Sequence, residues 1–291
     1  MIIELLTIIA PVMVCAIIGF VWCKKGLSFD VEQVTTLVTY IGTPCLVFTT
    51  LTNVEIERSA FTEMALGTAV SVTSFGVFGA IILRVFGMHL ATYLPPVVWA
   101  NMGNMGLPLC LFAFGQEGLA LAITYFAVDV VMLFTIGVAV SAGAFSLSRL
   151  LKLPFIYAVA AALFFMWNDL AVPRWIANTT ELLGGFTIPL MLIMLGVSLA
   201  SLKVANLKRA TAISVLRLVL GFVVGCATAY IFDMEGAARG VMILQASMPV
   251  AVYNYLFAMR YDRAPEEVAG MIVISTVLSF ATLPVLLIFV L

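Results

Sequence analysis

Charge is scarce in this chain. Of its 291 residues only 10% are Asp, Glu, Lys or Arg, against 64% apolar, and a water-soluble domain needs far more polar surface than that. Lipid is the solvent that fits such a composition. The formal net charge of -1 provides no basic stripe of the kind that neutralises phosphate backbones, so nucleic acid is not an expected partner. Histidine occurs once, as His89 in a short loop, where solvation is its ordinary fate. The cysteines, Cys15, Cys23, Cys45, Cys110 and Cys226, stand singly with neither CxxC nor metal-ligand spacing, and they read as small apolar side chains. Clustered acidic residues at mid-membrane depth are also missing. Intramembrane metalloenzymes need them as ligands, and intramembrane proteases need an acidic dyad or a serine with a base. The inventory therefore predicts a chain that is not an enzyme, with no catalytic residues, no metal and no cofactor. The N-terminus, MIIELL, lacks a basic region and leads into an apolar stretch too long for a signal-peptide core, so the first segment is expected to stay as a helix.

What the chain has in abundance is long apolar runs. A membrane-spanning helix takes about 20 mostly apolar residues, and windows of that size select ten segments. They lie near 3–22, 33–52, 64–86, 96–114, 119–142, 153–168, 175–200, 209–232, 239–260 and 267–290. The expected fold is an all-α integral membrane protein forming one domain over 1–291, in contact with membrane lipid. Trp22, Trp167 and Trp175 fall near segment ends, where an interfacial aromatic belt would place them. Glu4, Glu181, Glu266 and Glu267 sit near helix starts, where they complement the dipole.

Basic residues orient the segments, because cytoplasmic loops collect them. Loops after the odd segments hold Lys24, Lys25, Arg84, Arg149, Lys152, Lys203, Lys208, Arg209, Arg260 and Arg263, whereas loops after the even segments hold Arg58, Arg174 and Arg239. Both termini are thereby expected outside, periplasmic to a cell inner (plasma) membrane. Prolines echo between the halves: Pro11 and Pro154, Pro44 and Pro189, and Pro108 and Pro249 are offset by 143, 145 and 141 residues. A nearly constant offset suggests duplication, and five helices per copy would insert the second copy upside down. The expected architecture is ten transmembrane helices as two inverted five-helix repeats, 1–143 and 152–291, joined through AFSLSRLLK at 144–152.

The fourth segment contains NMGNMGLP at 101–108 and the ninth QASMP at 245–249, and neither can run as an unbroken helix without cost. Broken backbone at membrane depth is tolerated only where it is buried in protein or lines a watery cavity. The two discontinuous segments are therefore expected to cross at a site. Each second half-helix would present free N–H groups and a positive dipole end, which attract anions. Asn101, Asn104, Gln245, Ser247 and Asn254 can offer neutral donors or oxygen ligands nearby, with Tyr253 and Tyr255 as an amphipathic wall. Together they form the candidate substrate-binding set, with Pro108 and Pro249 as the crossover prolines. Asp129 and Arg217 lie deep in the fifth and eighth segments, where a charge costs about 2.5–3.5 kcal/mol. Two readings stay open for them: a buried structural pair, or ion coupling by Asp129.

NMGNMGLPLCLFAFGQEGLA and ILQASMPVAVYNYLFAMRYDRAPEEVAGMIVISTVLSF are similar to the auxin efflux carrier family, and the resemblance spans nearly the whole chain. It implies two inverted five-helix repeats whose discontinuous fourth and ninth helices cross at the prolines. In the plant relatives an asparagine seven residues before the first of these prolines contacts the substrate carboxylate, which maps to Asn101; the glutamine four residues before the second maps to Gln245. The resemblance further implies a transport unit of helices 3–5 and 8–10 moving as an elevator against helices 1, 2, 6 and 7, and a homodimer through that scaffold. The resulting expectation is a secondary active transporter of small organic anions, mono- or dicarboxylates, coupled to protons. Two alternatives remain: a sodium-coupled symporter of the bile-acid symporter type, and a membrane sensor that binds carboxylates without moving them.

Overall fold

In a computed structural model, residues 2–54, 58–137, 151–168, 170–202 and 204–291 are described. Most of the expected seam at 144–152, with Arg149, lies outside the described residues, as do Lys203 and the end of the fifth segment. Helices run in the order α1 (Ile2–Lys24), α2 (Val31–Leu37), α3 (Thr43–Asn53), α4 (Arg58–Val85), α5 (Leu90–Val98), α6 (Leu107–Met132), α7 (Pro154–Trp167), α8 (Arg174–Gly185), α9 (Thr187–Ser201), α10 (Leu207–Ile231), α11 (Gly236–Ala246), α12 (Tyr253–Arg260) and α13 (Pro265–Val290). Among the described residues seven continuous helical stretches are long and apolar enough to cross a membrane, and α7 is a shorter apolar helix. Side chains such as Leu182 and Val285 are more than two-thirds exposed, which suits a bundle whose outer surface meets lipid.

Prolines locate the irregularities but do not always break the chain. A π-helical turn at Val38–Gly42 links α2 to α3 just ahead of Pro44, and another at Met102–Gly106 leads into α6 just ahead of Pro108. A proline ring clashes with the carbonyl four residues earlier in a regular helix, and a widened turn relieves that clash. Gly115, at φ 65° and ψ -153°, turns the chain between the two parts of α6. That backbone conformation is open essentially to glycine alone, and it falls between the expected fourth and fifth segments. The fourth segment begins earlier than expected, at Leu90, with His89 at the N-cap of α5.

The helices sort into two packing groups. In one, α1 lies along α9 and α3 along α7 and α8; in the other, α10 lies along α11 and α13, and α6 along α4 and α11. The α1–α9 contact is very close, because a Cβ on Gly19 would land on the Ile193 carbonyl and one on Gly196 on the Ala16 carbonyl. Small residues permit such backbone approach, which is how helices associate where no water drives them together.

Candidate functional site

Two helices stop inside the bundle and their broken ends cross. α5 ends at Val98 and α11 at Ala246, and between them Ala100 and Val250 form an isolated antiparallel β-bridge. The Asn101 N–H donates to the Pro249 carbonyl at 2.7 Å, and the Ala251 N–H donates to the Trp99 carbonyl at 3.2 Å. Each break thus satisfies part of the other's backbone, as apolar surroundings require. The Asn254 amide ties the crossing further, its Nδ2 donating to the Trp99 carbonyl at 2.9 Å and to the Ala251 carbonyl at 3.1 Å.

The two expected crossover prolines stand differently at the crossing. The bridge there pairs Ala100 with Val250, so Pro249 is at the crossing while Pro108 stands further along, in the first turn of α6. The reason is physical: the π turn absorbs Pro108 without ending the helix, and the break falls instead at the extended residue Trp99, φ -93° and ψ 106°.

A cavity of about 310 Å³ adjoins the crossing. Asn101, Asn104, Asp129, Tyr253, Asn254 and Tyr255 line it on one side; Thr35, Thr39, Thr43, Met191, Met194 and Ser198 line it on the other. It therefore lies between the two packing groups. The helical starts after both breaks face it, at Met102–Asn104 and at Val252–Tyr253. The first N–H groups of a helix have no partner within it, so these starts direct donors and positive dipole ends inward. Three buried side-chain atoms on the cavity wall lack a hydrogen-bond partner among the described residues: Asn101 Nδ2, Asp129 Oδ1 and Asn254 Oδ1. Leaving such a group unmatched costs about 1–3 kcal/mol. The Asn254 orientation is imposed, since its amide nitrogen serves two carbonyls and only its oxygen is left over.

Gln245 and Ser247 stand apart from that wall. Both are buried, but neither is among the residues that line the cavity. Gln245 is packed inside the crossing, where a Cβ on Gly106 would land on its Oε1. Asp129 and Arg217 also differ from the paired expectation. Arg217 is fully buried and donates Nε to the Met248 carbonyl at 3.2 Å, one guanidinium nitrogen to Val97 at 3.0 Å and the other to Ala246 at 2.8 Å. Among the described residues it forms no ion pair with Asp129. All three guanidinium nitrogens go instead to carbonyls at the breaks.

Sequence reasoning missed the facing wall. Thr35, Thr39 and Thr43 recur every four residues, a polar stripe on one helix face that was there to be read. Phe126 of α6 and Phe155 of α7 also line the cavity and meet with ring centroids 5.8 Å apart. No sequence signal links them.

A cavity at crossing helix breaks, with a few polar side chains set in a mostly apolar wall, inside a bundle of long apolar helices fits an integral membrane protein. A family model described as membrane transport protein matches residues 138–287. An uncharacterised transporter of Methanothermobacter thermautotrophicus is 25% identical over 297 aligned positions, 95% of either chain. An uncharacterised transporter of Methanocaldococcus jannaschii is 26% identical over 264 positions, 84% of either chain. The chain belongs to the membrane transport protein family, and the resemblance to auxin efflux carriers holds. It is a membrane transporter, and these similarities are to transport proteins rather than to enzymes.

Proposed function

We propose that this chain is a secondary active carrier of small organic anions, mono- or dicarboxylates, driven by protons. The observation that carries the reading is the pairing of opposite chemistries on one cavity wall. Donors from Asn101 and the helix start at Met102–Asn104 suit a carboxylate. The Asp129 carboxylate on the same wall has a free oxygen and suits a proton. In this reading the anion and the proton occupy the same wall of one cavity and cross together. Asn104, Tyr253 and Asn254 complete the substrate wall in this reading, while Gln245, Ser247, Pro108 and Pro249 support it from behind.

The wider proposal is ten membrane passes as two inverted repeats, 1–143 and 152–291, in a cell inner membrane with both termini outside. The group holding α4, α5, α6 and α10–α13 slides as an elevator past the group holding α1–α3 and α7–α9, and the latter group forms the homodimer contact. The position of the cavity between the two packing groups supports this division.

A second reading is sodium coupling, favoured by unpartnered oxygens of Asn254 and Asp129 on the same cavity, since hard cations take oxygen ligands. The test is uptake and exchange of labelled malonate, malate and indole-acetate by purified protein in liposomes, with proton and sodium gradients imposed separately. Flux following the proton gradient is the expected result. Flux following only sodium selects the second reading, and carboxylate binding without flux makes the chain a sensor.

A further inference from the structure

The crossing takes two backbone donors away from their own helices. In an unbroken α5 the Asn101 N–H would serve the Val97 carbonyl, and in an unbroken α11 the Val250 N–H would serve Ala246. Here the Asn101 N–H goes to Pro249 and the Val250 N–H to Ser275 Oγ at 3.0 Å. Val97 and Ala246 are therefore two of the carbonyls that lose their helical donors at the crossing, and both are taken by the Arg217 guanidinium. Its Nε takes a third carbonyl, Met248, on the segment between α11 and the bridge.

Electrostatics fit the same arrangement. A helix C-terminus carries about -0.5 charge, so two of them together offset about one cation. The guanidinium also lies over the Phe75 ring of α4, 4.3 Å from its centroid. From these contacts we infer that Arg217 is a positioning residue, a fork from α10 that closes both broken helix ends at once and sets the geometry of the crossing. It is absent from the residues lining the cavity, so it acts on the site through the crossing and not as an anion ligand. Through Phe75, α4 is drawn into the same body as α5, α10 and α11. Planarity and spread matter here, because a lysine keeps the charge but is a point donor that cannot span three carbonyls on two chain segments. This inference stands on the helix ends alone and does not depend on the substrate.

Hydrogen–deuterium exchange of Arg217→Lys and Arg217→Gln in lipid nanodiscs tests it without any ligand. The bridge amides of Asn101 and Ala251 are expected to exchange at least ~10-fold faster in both variants, while α1 and α9 stay within ~2-fold of the unmodified chain. Bridge protection unchanged in Arg217→Lys overturns the fork, because charge alone would then suffice. Equal acceleration in α1 and α9 overturns it too, because the effect would be general. Should either variant fail to fold, Ala100→Cys with Val250→Cys, in a chain whose native cysteines are replaced, supplies a substitute brace. Opposed non-hydrogen-bonded bridge residues lie about 4.5 Å apart at Cα, within disulfide reach. Recovery of folded Arg217→Lys under oxidising but not reducing conditions supports the inference; no recovery overturns it.

Discussion

On the side of the crossing that faces α10, the carbonyls of Val97, Ala246 and Met248 each receive an Arg217 N–H. On the side that faces the cavity, Asn101 Nδ2, Asp129 Oδ1 and Asn254 Oδ1 have no partner among the described residues. One pair of helix breaks thus produces a closed back and an open front. The difference separates two uses of buried polarity. A charge whose three nitrogens each meet a carbonyl contributes rigidity, whereas a polar atom left unmatched at similar depth is held ready for something that arrives. It also separates Arg217 from Asp129, which composition alone presents as natural partners.

The largest expected effect is at the back. Arg217→Met strands three buried carbonyls at about 1–3 kcal/mol each, and the unfolding midpoint in detergent should fall by roughly 10 °C or more. A midpoint within about 2 °C of the unmodified chain would show that water closes those carbonyls just as well. Asp129→Asn should behave the opposite way. Its stability should stay close to that of the parent chain, because no ion pair is lost, while proton-driven uptake falls by about 30-fold or more and anion exchange persists. A large stability loss in Asp129→Asn would move the aspartate to the closed side and end the contrast.

How far this contrast was legible in the sequence differs between its two sides. The apolar segments could be read because lipid imposes one length and one backbone-satisfied structure on them. The front of the site was legible through Asn101, Asn104 and Asn254, since amides in an apolar run beside glycine and proline are conspicuous. The back was not. Sequence shows Arg217 as a buried charge but cannot show which carbonyls a crossing will orphan, and so it suggested the other buried charge as its partner. Pro108 misled for a related reason, because a proline reports a missing donor, and a π turn can absorb that defect without breaking the helix. Phe126 of α6 and Phe155 of α7 meet across the two packing groups at the cavity, which leaves no local trace.

A smaller effect is expected at the front. Asn101→Ala removes one neutral donor from the cavity wall, a change of about 1 to 1.5 kcal/mol, or roughly tenfold in affinity for a carboxylate. Its unfolding midpoint should not move, because the backbone N–H that holds the bridge is untouched. Equilibrium binding of whichever carboxylate the liposome assay identifies checks this. Unchanged affinity would remove Asn101 from the site and leave the helix start as the only donor set.

The smallest effect is expected at Gln245, which lies between the two sides. Its amide is fully buried, has both polar atoms unpartnered and does not line the cavity. Gln245→Leu keeps the volume roughly constant and removes a group whose burial is uncompensated. Stability should therefore stay level or rise slightly, and carboxylate affinity should change by less than about twofold. A tenfold loss of affinity with an intact fold would mean that Gln245 reaches the anion in another arrangement of the crossing. The division into a closed back and an open front would then describe one state of the transporter and not its whole cycle.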